Sequence, residues 1–367
     1  MKVCYVLPKY DEKAGEHVVH KYQLISELAK RCEVTVLIEK CAVVPRFPHV
    51  KSVICISDAS FLGRSFETLS NLFRLSLQGY KTFYVHYSFF GGILGSIVAK
   101  LTGAKVFYWN CGLPHLFFKS FGEKGWLQSK LNDDWPLRVT LSMVDYLVTG
   151  TSRMKQYYHE QFGTPLRSIL IVPNYIDLKR FKPKRPKNKV PVVLFVHRIS
   201  ERKGAHYIVP IAGRVLKKVN ANFLVAGDGP YLPKLQAEIR RKKLSKWVKT
   251  LGSIPNKEIM GYYAKADVFL MPSDEEGFPN VLLEAMAVGT PFVASDVGGV
   301  RDVVSRGAQR FVVKQGDVGA FTERLVELLS DKKMRDVLSK EGLRHVKQYD
   351  LSRVLPVFVK TLRKYSK

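Results

Sequence analysis

The chain has 367 residues, more than one domain usually takes and enough for two, each with its own core. Hydrophobic residues make up 46% and charged residues 25%, with a mean hydropathy of -0.07. That composition excludes a disordered or collagen-like chain and predicts a soluble globular protein. Lys and Arg number 59 against 32 Asp and Glu, a net charge of +27. Such an excess implies either plain solubility or a polyanionic neighbour: an acidic membrane leaflet, nucleic acid, or phosphorylated substrates.

The five cysteines, Cys4, Cys32, Cys41, Cys55 and Cys111, are odd in number, lie in the first third and form no CxxC pair. Neither a zinc site nor a disulfide framework is expected from them, and a reducing compartment fits best. The amino-terminal run MKVCYVLPKY reads as a strand ended by Pro8 and not as a signal peptide. No apolar run is long enough to span a bilayer, so any membrane contact is expected to be peripheral.

In chain order, Lys2–Leu7 predicts a strand, His17–Arg31 a helix and Glu33–Ile38 a strand. Lys81–His86, Lys105–Trp109, Asp145–Thr149 and Ile169–Pro173 follow as strands, with helical patterns between most of them. The alternation implies a parallel sheet with helices on both faces. It breaks at Lys179–Lys189 (KRFKPKRPKNK), which holds seven basic residues, two prolines and no acid and reads as a linker. Strands resume at Val190–Val196, Phe223–Ala226, Val268–Met271, Pro291–Ala294 and Phe311–Val313. The tail from Ser330 reads as helix, with Ser352–Tyr365 able to cross back to the first half.

The fold class expected is therefore α/β: two doubly wound Rossmann-like domains facing across a cleft. The boundaries are residues 1–180 for the first domain, 181–189 for the basic linker, 190–350 for the second domain and 351–367 for a returning helix. Ligands of open parallel sheets bind at the carboxyl ends of the strands, so the loops there carry the chemistry.

The most informative of these loops is PSDEEGFPNVLLEAMAVGTPFVASDVGGVRDVV, Pro272–Val304. A strand ends in an acidic loop with Gly277 and Phe278, and a helix begins near Pro279. The free N–H groups of Asn280, Val281 and Leu282 are expected to make an anion site at the helix start. Glu276 lies just before the helix, within reach of a ligand there, and Glu284 lies about two turns further on. Read singly, these residues have plain structural roles open to them: a helix-start acid, a buried pair, solvated loop charges, a turn.

EGFPNVLLE resembles the E-x7-E motif of retaining glycosyltransferases of the GT-B fold, family 4 type (glycosyl transferases group 1). VPNYIDLKRFKP (Val172–Pro183), HRISERKG (His197–Gly204), AGDGP (Ala226–Pro230) and ASDVGGVRDVV resemble further segments of that family, in its order and spacing, with Asp302 where Glu is more usual. The resemblance implies a metal-independent hexosyltransferase with no cofactor, which takes a UDP- or GDP-linked sugar as donor. It implies that Glu276 contacts the donor sugar, that Glu284 holds the ribose, and that Arg198 and Lys203 neutralise the diphosphate as it leaves. It places the backbone of Ile254, in GSIP, against the base. No D-x-D sequence occurs, which sets the chain apart from metal-dependent transferases of the other main fold.

The first domain matches less closely. Gly15 stands where the family has one glycine of a phosphate-approaching pair, and Glu16 replaces the other. His20 has the spacing of a histidine on the acceptor side, where a capping or packed role is also open to it. Asn110 or Cys111 occupies the place of the family's cleft histidine, with His115 a possible substitute from the next turn. The segment Leu113–Leu131 interleaves Phe117, Phe118, Phe121 and Trp126 with Lys119, Lys124 and Lys130, a pattern that suits an interfacial membrane contact or aromatics packed inward. Aromatics among lysines can also stack on bases, but no nucleic-acid module is recognised and a nucleic-acid partner is not expected.

These readings converge on a peripheral enzyme at the inner, cytoplasmic face of a membrane, with an anionic surface and a lipid-linked acceptor as partners. An epimerase-type enzyme of the same fold, or a nucleic-acid or sugar-nucleotide binding protein without turnover, are the alternatives.

Overall fold

The computed structural model describes residues 1–10, 19–58, 60–112, 134–181 and 188–366, and of residues 19–21 and 256 the backbone alone. Gly15, Glu16, His115, the aromatic stretch 113–131 and most of the expected linker thus lie outside the described residues, as does the side chain of His20.

The chain divides into two units. The first runs from Met1 through Pro173 and takes in the chain from Ser352 onward; the second runs from Asn174 to Leu351. In the first unit seven strands, β1 (Lys2–Leu7), β2 (Glu33–Ile38), β3 (Ser52–Cys55), β4 (Thr82–His86), β5 (Lys105–Trp109), β6 (Tyr146–Thr149) and β7 (Ile169–Ile171), form a sheet in the order β3-β2-β1-β4-β5-β6-β7. Every pairing is parallel. Parallel strands covered on both faces need near-continuous apolar sequence, and β1, β2 and β4 supply it: all but their first residues are buried, and β4 is buried throughout.

The helices of this unit include α1 (Val19–Ala29), α2 (Phe61–Leu77) and α3 (Phe89–Thr102). Ser60 caps α2 by accepting from Gly63 N–H, and Ser88 caps α3 by accepting from Gly91 N–H. The carboxyl-terminal helix Leu351–Tyr365 packs on this sheet. Phe358 meets Tyr84 at 4.9 Å between ring centroids, Tyr365 meets Tyr146 at 5.0 Å, and Thr82 Oγ1 donates to Ser366 Oγ at 2.8 Å.

The second unit holds β8 (Val192–Val196), β9 (Asn222–Ala226), β10 (Val248–Gly252), β11 (Val268–Met271), β12 (Phe292–Ser295) and β13 (Val312–Val313) in the order β10-β9-β8-β11-β12-β13. All are parallel. Both sheets are doubly wound: the strand order reverses between β1 and β4 in one and between β8 and β11 in the other, and the carboxyl ends of such strands are where this architecture places ligands. The core of the second unit is built from Val193, Phe195, Phe223, Val268 and Leu270 of the strands and from Ile211, Leu235, Phe321 and Leu325 of the covering helices.

Three features depart from the sequence expectations. β3 and β10 were not among the expected strands; both are sheet edges, and their residues are mostly half-exposed, so the apolar signal is weak. The chain leaves the first unit at Pro173, ahead of residue 180, because the following segment pairs with the end of the second unit: Ile176 N–H donates to Tyr349 O and Leu351 N–H to Ile176 O, both at 2.9 Å. Cys41 and Cys55 are joined as a disulfide, against the expectation that none would form. Adjacent strands explain the pairing: Cys55 ends β3 beside Ile38 of β2, and the chain after β2 brings Cys41 within 6.1 Å of it, Cα to Cα.

Candidate functional site

The strongest cluster of polar side chains lies at the switch point of the second sheet. β8 and β11 are paired neighbours, Val193 beside Val268 and Leu194 beside Phe269, so the segments that follow them run side by side. Asp274 N–H donates to Arg202 O at 3.0 Å and ties the two loops together. Two glycines permit the approach. Gly204 sits at φ +73°, where a Cβ would lie 1.9 Å from Pro272 O, and Gly298 at φ +47°, where a Cβ would lie 1.6 Å from Glu276 O. No other residue type fits at either place.

Glu276 is the centre of this arrangement. Its Oε1 accepts from Lys203 Nζ at 2.7 Å and from Ser273 Oγ at 2.9 Å, and His197 Nε2 lies 2.9 Å away. The side chains of Lys203 and Glu276 are 11% and 6% exposed, so the pair is screened little by water. Burial opposes ionisation of Glu276, but the Lys203 ammonium and the His197 ring outweigh it and hold the carboxyl well below the usual range. Burial, and then the charge of Lys203, lower the pKa of His197, whose ring is accordingly neutral at neutral pH. Lys203 also donates to Glu275 O at 3.3 Å. An ammonium has three donors, and these two contacts leave one.

Around this centre, Arg202 Nη1 lies 3.6 Å from Glu275 Oε1, and burial raises the pKa of Glu275. Asp274 accepts from Tyr207 and Gln315, with His206 3.7 Å away. Among the described residues His197 Nε2, His206 Nδ1 and Glu275 Oε2 are buried without an aligned hydrogen-bond partner. Buried polar atoms without such a partner are uncommon, and these three all belong to the loops that follow β8 and β11.

The other residues named from sequence fall as follows. Arg198 is exposed and forms no ion pair among the described residues. Glu284 is half-buried on the helix Asn280–Ala287. Burial pushes its carboxyl up to about 7, opposed by the Tyr263 hydroxyl and the Arg180 guanidinium. Glu284 thus has surroundings of its own and shares no partner with Glu276. Ile254 is half-buried in the loop after β10, and Gly277 is half-buried while Phe278 is buried, its ring edge-on to Tyr349 at 5.9 Å.

The start of the helix Asn280–Ala287 corrects the expectation of three free N–H groups. Asn280 N–H donates to Phe278 O at 3.1 Å and Leu282 N–H to Pro279 O at 3.0 Å, because the chain enters this helix through a tight turn. The exposed Asn280 side chain accepts from Asn174 Nδ2 at 3.0 Å, Val281 is half-buried and Leu282 is fully buried.

In the first unit, Asn110 and Cys111 are both buried. Asn110 Oδ1 accepts from Tyr158 Oη at 3.0 Å and from Gly112 N–H at 2.8 Å, so its amide anchors the turn after β5. Two groups at this sheet edge were not singled out from sequence. His86 ends β4, shares a 2.9 Å hydrogen bond with Tyr5 Oη and stacks on Trp109 at 4.3 Å. Glu39 follows β2, receives the Ser88 hydroxyl, and is pushed by burial up to about 7. The available signal was a polar residue closing an apolar strand, as in TFYVH.

In the second unit His197 and Ser273, both in contact with Glu276, were missed in the same way. His197 closes the run VVLFV, and Ser273 follows VFLM.

Among the described residues no group of three or more His, Cys, Asp or Glu side chains is placed to hold a metal ion.

Comparison with known proteins bears on this site directly, since the matched region encloses it. Residues 177–345 match the family described as Glycosyl transferases group 1. Glycogen synthase of Mycobacterium tuberculosis is 28% identical over 216 residues, 56% of this chain and 51% of that protein. A GDP-mannose-dependent monoacylated alpha-(1-6)-phosphatidylinositol monomannoside mannosyltransferase of Corynebacterium glutamicum is 32% identical over 197 residues, 48% of this chain and 50% of that protein. The chain thus spans about half the length of these relatives.

Among solved structures, sucrose-phosphate synthase of Thermosynechococcus elongatus aligns over 99% of this chain and 98% of its own, at TM-score 0.80 and 20% identity. HepE of Anabaena, in complex with UDP and glucose, aligns over 99% and 100% at TM-score 0.76 and 17% identity. At such identities the likeness is one of fold, two doubly wound parallel sheets of the GT-B kind. Residues 177–345, which contain the Glu276 cluster, are thus similar to the glycosyl transferases group 1 family.

Proposed function

We propose that this protein is a retaining glycosyltransferase that moves a sugar from a nucleoside-diphosphate donor to a lipid-linked acceptor at the cytoplasmic face of a membrane. The observation that carries the reading is the buried Glu276–Lys203 pair, with His197 beside it, at the switch point of the second sheet. Donor diphosphate takes the remaining donor of Lys203 together with the exposed guanidinium of Arg198, and leaving-group charge is stabilised there without a metal or cofactor. Glu276, ionised and fixed by three neighbours, receives hydroxyls of the donor sugar. Glu284 receives the ribose hydroxyls and the backbone at Ile254 the base.

Two names support the donor and acceptor classes. HepE was solved with UDP, and the Corynebacterium relative is named for a GDP-mannose donor and a phosphatidylinositol acceptor. A net charge of +27 is consistent with an anionic membrane as the place of work.

The test is release of nucleoside diphosphate from a panel of UDP- and GDP-sugars, with and without acceptors, in the presence of EDTA. Turnover is expected to require an acceptor and to survive the chelator, and the product to keep the anomeric configuration of the donor. Glu276→Ala should cut turnover by about a hundredfold or more while nucleoside-diphosphate affinity changes little. Equal losses in both would remove Glu276 from the sugar, and turnover without acceptor would favour the epimerase-type reading.

A further inference from the structure

The outer surface of the first unit carries an apolar face on two neighbouring helices. On α2, Leu62, Phe66, Phe73 and Leu77 follow one another at spacings of four, seven and four residues, which puts them on one side of the helix. They are exposed: Leu62 by 79%, Phe66 by 75% and Leu77 by 71%. That side of a solvent-facing helix ordinarily holds charge.

The opposite side holds the buried residues Thr68, Leu72, Leu75 and Ser76, so α2 is apolar where it meets the sheet and apolar again where it faces out. α3 lies alongside. Phe61 and Phe90 meet at 5.9 Å at the start of the two helices, and Ser76 Oγ donates to Thr102 Oγ1 at 2.7 Å at their ends. α3 adds Ile97 and Leu101, the latter 75% exposed, to the same surface. A contiguous apolar patch of this kind on a soluble protein marks an interaction site.

Charge identifies the occupant. Arg74 lies on α2 and Lys100 on α3, and Lys81 borders the ends of both helices, donating to Thr102 O. The one acid of α2, Glu67, is turned into the preceding loop, where it accepts from Ser57 and Asp58 N–H. Asp58 is the other nearby acid and is held by Ser60 N–H. An apolar stripe edged by cations and nearly free of exposed acid is the pattern of a helix that lies in a membrane interface. A second copy of the chain would bring like charge against like, at a net +27 each.

We infer that α2 and α3 form the membrane-docking face of this protein, with their apolar side chains inserted among the acyl chains of an anionic bilayer and their cations against its headgroups. The inference rests on the proposal that the enzyme works at a membrane, and it names the surface that makes the contact.

The full-length protein is to be sedimented with vesicles of phosphatidylcholine alone and of phosphatidylcholine with phosphatidylglycerol. Binding is expected to the second and only weakly to the first. Leu62→Ser, Phe66→Ser and Leu77→Ser together should lower partitioning by about a hundredfold or more, since each residue gives up its own apolar insertion. Arg74→Glu with Lys100→Glu should lower it by about a hundredfold at low salt and much less at high salt. Both variants alter exposed positions only, so melting temperature and affinity for UDP or GDP should stay as in the parent.

Docking is overturned if the triple serine variant binds as the parent does, if the parent binds neither vesicle, or if the substitutions abolish a dimer in sedimentation velocity and leave vesicle binding intact. Sugar transfer to a water-soluble acceptor separates the two proposals. Transfer that persists when vesicle binding by the parent is absent overturns docking alone, whereas vesicle binding lost in the serine variant upholds docking even where no transfer is seen with any donor.

Discussion

Replacing Lys203 with Met keeps the length of the side chain and removes its charge, so it tests what holds the Glu276 loop in place. In the parent the ammonium stands 2.7 Å from Glu276 Oε1, with both side chains buried. Without it the carboxylate keeps only Ser273 and the neutral His197 against its desolvation, which is the largest influence on its ionisation. Leaving one partner of a buried pair uncompensated costs about 3–5 kcal/mol, of the order of a third to a half of the stability of a typical domain.

The pH dependence has a definite sign. In the parent the folded-state pKa of Glu276 is depressed, so its stabilising contribution is present above the unfolded value near 4.5 and falls away as the pH drops. In the variant burial dominates and raises the folded pKa. Its contribution is then present at low pH and lost as the pH climbs, so the deficit against the parent widens from acid to neutral solution. Denaturant unfolding at several pH values measures both the size and the slope. Glu276→Gln in the Lys203→Met background should recover much of the loss, since it removes the stranded charge, and the double-mutant cycle isolates the coupling. A loss below about 1 kcal/mol, or a deficit that does not change with pH, would refute the reasoning and leave the pair as weak as one on the surface.

Glu284 titrates on the other side of its ordinary value. Raised to about 7 by burial, it stabilises fully below about 4.5, and that contribution is lost as the pH rises towards 7. Glu284→Gln should therefore flatten the decline in melting temperature between those limits, and an unchanged profile would assign the titration elsewhere. Gly298→Ala should be more disruptive than its size suggests, because the new methyl meets Glu276 O from a backbone at φ +47°. A cost of at least about 1–3 kcal/mol is expected, with sugar transfer falling further than nucleotide affinity; calorimetry showing no change in stability would mean that the loops part freely.

The strands that could be read in the sequence are those that must be apolar on both faces. β1, β2, β5 and β11 coincide with the expected ranges because interior parallel strands leave no room for polar residues. β3 and β10 were missed because an edge strand is covered less and can carry Lys249 and Thr250 in the middle of VKTLG without cost. Glu276, Lys203 and Gly204 were legible as parts of local motifs. What no local reading gives is that Lys203 spends its charge on Glu276, 73 residues away, since that contact exists only where β8 and β11 become neighbours.

The same topology explains why the missed residues are the ones they are. His197 and Ser273 each stand just beyond the end of a buried strand, and in the first unit Glu39 follows β2 and His86 is the last residue of β4. A side chain in that position is still held by its strand, which fixes it to within the precision of the sheet and places its polar atoms at the sheet edge. In sequence such a residue looks only like the end of a strand. In the folded sheet it is among the best-placed groups in the molecule, because neighbouring strands deliver several of them to one switch point. The second unit gathers a histidine, a lysine, a serine and a carboxylate there, whereas the first gathers a tyrosine and a histidine stacked on tryptophan.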